Sequence, residues 1–161
     1  MQDFVHLHVH TQYSLLDGQA SVARLVDKAM KNGMKGIAVT DHGNMFGIKE
    51  FTNYVNKKNS GPKGEIKDLK KRLVGIEAGS IECEDKEAEV AACKAKIVEA
   101  ENKLFKPIIG CEMYVARRTM DLKEGKQDQS GYHLIVLAKN ETGYHNLIKL
   151  VSHAWTRGYY M

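Results

Sequence analysis

Three histidines alternate with apolar residues near the start of the chain, within Phe-Val-His-Leu-His-Val-His-Thr. The short apolar run predicts a buried strand over residues 3–10. Side chains alternate between the faces of a strand, so His6, His8 and His10 are expected on one face. Adjacent imidazoles suit zinc, manganese or iron, although an isolated pair is more often one core histidine and one solvated histidine. The pair becomes informative only beside further ligands.

Strand and helix signals then alternate along the chain. Ser21 suits the N-cap of a helix that ends before Gly33. Such alternation predicts parallel strands joined by right-handed helical crossovers, and hence an α/β sheet or barrel. The predicted strands cover residues 3–10, 35–40, 107–116 and 132–138, and the predicted helices cover residues 22–30, 46–58 and 142–155.

The segment 60–105 differs in character from the rest of the chain. Residues 63–106 contain ten basic and ten acidic residues, which leaves 14 basic and 10 acidic residues elsewhere. Apolar residues at helical spacing predict an inserted antiparallel helical hairpin with a short seam of Val90, Ile97 and Leu104. Its charges favour a solvated face over a binding site.

The bulk composition fits one globular domain: 161 residues, 43% of them hydrophobic. Three cysteines without C-x-x-C spacing favour neither a disulfide framework nor a structural zinc knuckle, and a reducing cytoplasm is expected. No stretch has the roughly 18 apolar residues of a membrane span, and the start does not resemble a signal peptide. The formal charge of +4 permits contact with nucleic acid without establishing it.

Further metal-suited side chains follow or occupy the predicted strands. The ends of strands are where α/β folds place their sites. Each residue has an ordinary explanation when taken singly, as a turn, a helix cap, a strand carboxylate or a core histidine. Together they predict a multi-metal site, with Asp41 orienting a ligand without binding metal itself. The candidate ligands are His8, His10, Asp17, His42, Glu112 and His133.

These motifs resemble the PHP (polymerase and histidinol phosphatase) domain family. Its H-x-H-T opening matches residues 8–11, and its D-H element matches Asp41-His42. The longer stretch of sequence around these motifs is similar to the N-terminal PHP domains of bacterial replicative DNA polymerases, the DNA polymerase III alpha subunits. It includes Pro-Ile-Ile-Gly-Cys-Glu and His-Leu-Ile-Val-Leu-Ala-Lys-Asn-Glu-Thr-Gly-Tyr-His-Asn-Leu. The resemblance covers nearly the whole chain except about residues 60–105.

For the fold and site, the resemblance implies the N-terminal part of a distorted (β/α)7 barrel, with residues 1–161 as a truncated PHP domain. It implies up to three divalent metals, zinc, manganese or iron, on the six candidate ligands, with a structural role for His6. The family draws further ligands from later strands, so the site is expected to be incomplete in this chain, and Cys111 does not replace them. The exposed edge of an unfinished barrel could pair with another copy.

For function, the resemblance implies DNA replication by a longer parent, a DNA-directed DNA polymerase whose Mg²⁺-dependent carboxylates lie in later domains. The PHP site itself is expected to hydrolyse phosphoesters, as a 3'-5' exonuclease or a pyrophosphatase, with little activity in the fragment alone. Expected partners are a DNA primer-template, the proofreading exonuclease subunit and the sliding clamp. The alternatives are a structural platform for the polymerase and its proofreading subunit, or a free-standing phosphatase, which the residues after Ser130 disfavour.

Overall fold

The structure is a computed structural model that describes residues 4–160 of the chain. It forms two compact units, one comprising residues up to Tyr54 together with those from Lys106 onward, and the other Val55–Phe105. Within residues 4–160, no helix is both long and apolar enough to cross a membrane. In chain order the elements are α1 (Val22–Lys31), β1 (Gly36–Val39), α2 (Ile48–Lys58), α3 (Ser60–Glu77), α4 (Lys86–Asn102), β2 (Lys106–Val115), a 3-10 turn (Gly125–Gln127), β3 (Tyr132–Leu137) and α5 (Glu141–Thr156).

Local signals account for the ends of the helices in the first unit. The hydroxyl of Ser21 caps α1 by accepting the amide of Arg24, and Gly33 follows the helix with a positive φ of 76°. The side chain of Asn140 accepts the amide of Gly143 at the start of α5. One apolar side of these helices is buried together with β1, as the 3.6-residue spacing predicts. The core residues include Val22, Val26, Ala29, Ile37, Ala38, Val39, Phe51, Cys111 and Leu147.

The described sheet has the order β1-β2-β3. The strands β1 and β2 are parallel, with Gly36 opposite Lys106 and Val39 opposite Ile109. In contrast, β3 runs antiparallel to β2, so the expectation that all strands are parallel is wrong. A parallel neighbour needs a crossover, usually helical, whereas residues 116–131 contain only the 3-10 turn and lead the chain straight back beside β2. The result is a mixed α/β fold.

The histidine-rich segment is not a regular strand. Residue 3 lies outside the described residues, and residues 4–10 have no strand assignment. The segment nevertheless runs beside β1: the carbonyl oxygens of His6 and Val9 accept the amides of Ala38 and Thr40, both at 2.9 Å. The ladder is interrupted because the amide of Val9 donates to the side chain of Thr40. The predicted strand is therefore wrong as an element, although its pairing with the sheet persists.

The second unit contains the predicted pair of helices. Ile76 of α3 is buried in this unit, as are Cys93, Ile97 and Ala100 of α4. Of the predicted seam, Leu104 falls after the end of α4. The unit is closed by Asn59, whose side chain accepts the amide of Phe105 at 2.9 Å and donates to its carbonyl oxygen at 2.8 Å. Whether this unit is an insertion into the family fold stays a prediction.

Candidate metal centre

A buried carboxylate, that of Glu112, lies at the centre of a group of histidines. Glu112 is on β2 and its side chain is only 1% exposed. Backbone pairing continues past the end of β1, because the amide of Glu112 donates to the carbonyl of Asp41 and the amide of Gly43 to the carbonyl of Glu112. This pairing brings His42 beside Glu112 on the sheet. The segment after β1 and the middle of β2 are thus held together by the backbone.

One group of possible ligand atoms lies around Oε2 of Glu112. Nε2 of His8 lies 2.6 Å from it and Nε2 of His10 lies 3.1 Å from it. The two imidazole nitrogens are themselves 3.0 Å apart. His8, His10 and Glu112 therefore each direct one donor atom at a common point, as a metal site requires.

The other carboxylate oxygen, Oε1, also faces two histidines. Nδ1 of His133 lies 2.5 Å away and Nδ1 of His42 lies 3.3 Å away. Neither ring directs an N–H at Oε1 in hydrogen-bonding geometry, so this buried oxygen has no hydrogen bond. A buried oxygen without a partner is costly, and a cation shared with the imidazoles would remove that cost.

His42 links this carboxylate to two further polar groups. Its Nε2 lies 2.8 Å from Oδ2 of Asp17, and its Nδ1 lies 2.8 Å from the hydroxyl of Tyr114. Asp17 follows Leu16, whose φ of 84° is unusual for a residue with a side chain. The imidazole is therefore contacted at both nitrogens, by Asp17 at Nε2 and by Tyr114 and Glu112 at Nδ1.

A hydrogen-bond chain orients His10. Asp41, which is 1% exposed, accepts the amide and hydroxyl of Thr11 at 2.6 and 2.8 Å, and the hydroxyl of Ser14 at 2.6 Å. Ser14 has one hydroxyl proton, and it is donated to Asp41. The same oxygen therefore accepts from Nδ1 of His10, 3.0 Å away. This places a proton of His10 on Nδ1 and leaves Nε2 facing Glu112.

Electrostatics keeps the carboxylates ionised and the cysteine protonated. Burial would raise the pKa of Glu112, but the hydrogen bond with His8 and the charges of the other three histidines lower it overall. The hydrogen bond with His42 lowers the pKa of Asp17. Burial raises the pKa of Cys111 to about 11, so its thiol is a poor metal ligand at neutral pH.

The donor set fits divalent transition metals. Imidazole nitrogens and carboxylate oxygens bind zinc at about 2.0–2.2 Å, which puts neighbouring tetrahedral donors about 3.4 Å apart. The observed spacings of 2.6–3.1 Å around Oε2 require the side chains to open by less than about 1 Å. Mixed nitrogen and oxygen donors equally suit manganese and iron.

The tertiary structure brings all the sequence-predicted candidates into one connected cluster: His8, His10, Asp17, His42, Glu112 and His133, with Asp41 behind them. His6 is exposed and has its ring edge against Phe4. Sequence reasoning missed Thr11, Ser14 and Tyr114. The only available signal for Tyr114 was its spacing of two from Glu112, which puts both on one face of the strand.

Comparison with known proteins identifies the family to which the chain belongs. The sequence profile of the PHP domain matches residues 6–161, and the chain belongs to the PHP domain family. Its relatives include the DNA polymerase III subunit alpha of Borreliella burgdorferi, 39% identical over 160 residues, and that of Treponema pallidum, 40% identical over 158 residues. Each comparison covers 98% of this chain and 10% of the relative. The subunit of Aquifex aeolicus is 32% identical over 165 residues, covering 99% of this chain and 10% of its own.

Proposed function

We propose that this chain carries the metal-binding part of a PHP hydrolase site, which acts on phosphoesters within a longer replicative DNA polymerase. The observation that carries the proposal is the ionised, buried Glu112 with four histidines around it and one oxygen without a hydrogen bond. A buried carboxylate oxygen without a hydrogen bond is costly, and a cation bound to it would remove that cost. The reaction proposed is 3'-5' exonucleolytic cleavage or pyrophosphate cleavage.

Two or three divalent ions, zinc, manganese or iron, would share the cluster. His8, His10 and Glu112 would hold one ion, and Asp17 with His42 a second. His133 would contribute on the side of Oε1, with further ligands from outside these residues. When bound, such ions supply Lewis-acid stabilisation of the negative charge that develops on phosphate oxygens.

The chain's own residues prepare this site by fixing tautomers and positions. Asp41 holds Ser14, and Ser14 holds the proton of His10 on Nδ1, which keeps Nε2 available as a ligand. Tyr114 contacts Nδ1 of His42 and restrains that ring. Burial of Glu112 excludes water from the carboxylate, which strengthens its interaction with any cation or developing charge nearby.

The properties of the whole protein follow from its relatives as proposals. The chain spans about a tenth of the length of the DNA polymerase III alpha subunits it matches. By analogy with them, we propose DNA-directed DNA polymerase activity in the longer protein, with Mg²⁺ at a separate polymerase site. DNA primer-template, the proofreading exonuclease subunit and the sliding clamp are the proposed partners, in the cytoplasm. A distorted seven-stranded barrel is the proposed complete fold of the PHP domain.

Metal analysis and a nuclease assay on the full-length protein test the proposal. The wild type should contain two or three transition metals per chain and remove a mismatched 3' nucleotide, whereas His8→Ala and Glu112→Ala should lose both properties. His6→Ala is the matched control, because His6 is in the same segment but outside the cluster. Metal content near zero, or unchanged hydrolysis in both variants, would overturn the proposal in favour of a structural platform for the polymerase.

A further inference from the structure

A large cavity opens next to the metal centre in the first unit. It has a volume of about 670 Å³, within the range of pockets that hold small molecules. His42 and His133 form part of its wall, and both also contact Glu112. The cavity is therefore continuous with the cluster that the proposed hydrolysis uses.

Aromatic side chains provide the flat surfaces of this cavity. Trp155 and Tyr159 stack on each other with ring centroids 5.8 Å apart and an angle of 12° between the planes. They are 53% and 56% exposed, so an outer ring face remains accessible, and Tyr114 adds a third ring. The indole N–H of Trp155 donates to the carbonyl of Gly43 at 2.7 Å, which fixes the indole beside the metal centre. Accessible aromatic faces of this kind are platforms for unpaired bases.

Another part of the wall comes from a long connection, residues 116–131, that polar contacts hold in place. The guanidinium of Arg118 binds Asp128 and Glu124, and the hydrogen bond to Asp128 raises the pKa of Arg118 further above its already high value. The amide of Gly125 donates to the hydroxyl of Tyr160 at 2.9 Å. Hydrogen bonds within the connection, and one from it to Tyr160, therefore hold this part of the wall in place.

The charge of the pocket suits a phosphate. Arg117 is exposed, lies over the ring of Tyr132 at 5.4 Å, and donates its Nε proton to the carbonyl of Ser130. The acidic group in the wall, Asp128, is already paired with Arg118. An anion in the pocket would thus be attracted by the guanidinium of Arg117.

We propose that this pocket binds an unpaired nucleobase of single-stranded DNA. The base stacks on Trp155 or Tyr159, and its phosphate is bound by Arg117. The proposal rests on the proposed function, for which it names the substrate class and the subsite beside the metal centre. Stacking on aromatic rings tolerates any base, which suits a site that accepts a 3' terminus of any sequence.

The test exploits Trp155, the single tryptophan of the chain. Its fluorescence is titrated with oligo(dT) of four nucleotides in the presence of EDTA, so that binding is measured without metal and without hydrolysis. The expected result is saturable quenching, which Tyr159→Ala and Arg117→Gln each weaken by about tenfold. An abasic tetranucleotide should quench much less than oligo(dT). Phe46→Ala, an exposed aromatic outside the pocket, and Arg72→Gln, in the second unit, are the matched controls and should bind as the wild type does.

Several outcomes would overturn the inference. They are no quenching, equal binding of the abasic strand, or unchanged affinity in Tyr159→Ala with its circular dichroism intact. Binding that occurs without metal while the full-length protein lacks metal and hydrolysis would support the pocket and refute the proposed function. Metal content and hydrolysis in the full-length protein, without quenching of Trp155 by oligo(dT), would refute the pocket alone.

Discussion

Nε2 of His8 lies 2.6 Å from Oε2 of Glu112, although the two residues are 104 positions apart in the chain. The carboxylate is buried, whereas the imidazole is half exposed. This contact joins the irregular first segment to the middle of β2 at the buried carboxylate of the metal centre. Its strength should depend on the negative charge of Glu112, which a single substitution can remove.

Replacing Glu112 with glutamine is expected to separate metal binding from folding. The amide has nearly the same size but lacks the charge whose ionised form the folded protein favours, so the metal-free variant should unfold at a somewhat lower temperature than the wild type. Stabilisation by added Zn²⁺ or Mn²⁺ should fall with affinity, which we expect to drop at least about tenfold. Thermal unfolding with and without metal measures both effects. Equal stabilisation of Glu112→Gln and the wild type by metal would contradict the assigned role, and Glu101→Gln on α4 is the control.

Replacing Ser14 with alanine should weaken metal binding through His10. The change removes the hydroxyl between His10 and Asp41 and leaves buried Asp41 with two of its three donors. We expect a loss of about 10–100-fold in metal affinity and about 1–3 kcal/mol in the free energy of unfolding. Isothermal titration with Zn²⁺ and denaturant unfolding give the two values.

Ser21→Ala provides the control for that experiment. It removes another serine hydroxyl, the cap of α1, which should cost about 0.5–2 kcal/mol of stability with no change in metal affinity. If both serine variants lost metal affinity equally, the effect of Ser14 would reflect general destabilisation and not the orientation of His10.

Asn59→Ala should loosen the second unit selectively. The amide of Asn59 satisfies both the N–H and the carbonyl of Phe105 in a buried position, and alanine leaves both without a partner. The local free energy of opening should fall by about 2–4 kcal/mol. Hydrogen exchange of the α3 and α4 amides measures it, with exposed Ser60→Ala as the control. Amide protection of α3 and α4 that is the same in Asn59→Ala as in the wild type would refute this role.

Acid should weaken the connection that lines the aromatic pocket. The hydrogen bond from Arg118, together with the amide of Glu124, lowers the pKa of Asp128 in the folded protein. A depressed folded pKa contributes stability that is fully present above the unfolded value, about 3.9, and is lost as the pH falls through the folded value. Asp128→Asn should therefore be less stable than the wild type at pH 7, with the difference disappearing below about pH 4. Thermal unfolding between pH 2.5 and pH 7 tests this, and a constant difference across that range would contradict it.

Local sequence signals predicted the helices well because their causes are local. Ser21 and Gly33 bound α1 as expected, and the alternation of charge and apolar residues located α3 and α4. The direction of β3 could not be predicted in this way. It depends on what residues 116–131 do in space, and the lack of a crossover helix there is not encoded in the apolar run of β3 itself.

The sequence also identified the chemistry of the site, since imidazole and carboxylate groups near strands are recognisable by type. It could not reveal which of them meet. His133 was expected on a parallel strand, yet it reaches Glu112 from an antiparallel one. Ser14 and Tyr114 were missed because hydroxyl groups are common, and only their distances to His10 and His42 distinguish them.

The sequence by itself thus determined the family, the helices and the kinds of ligand available, because these depend on residue types and short-range spacing. Only the tertiary structure decided that Glu112 is buried among four histidines, that Asp41 acts through Ser14, and that an aromatic pocket adjoins the cluster. The physical reason is that burial and hydrogen-bond partnership arise from chain segments up to 104 residues apart, and no local pattern specifies how such segments meet.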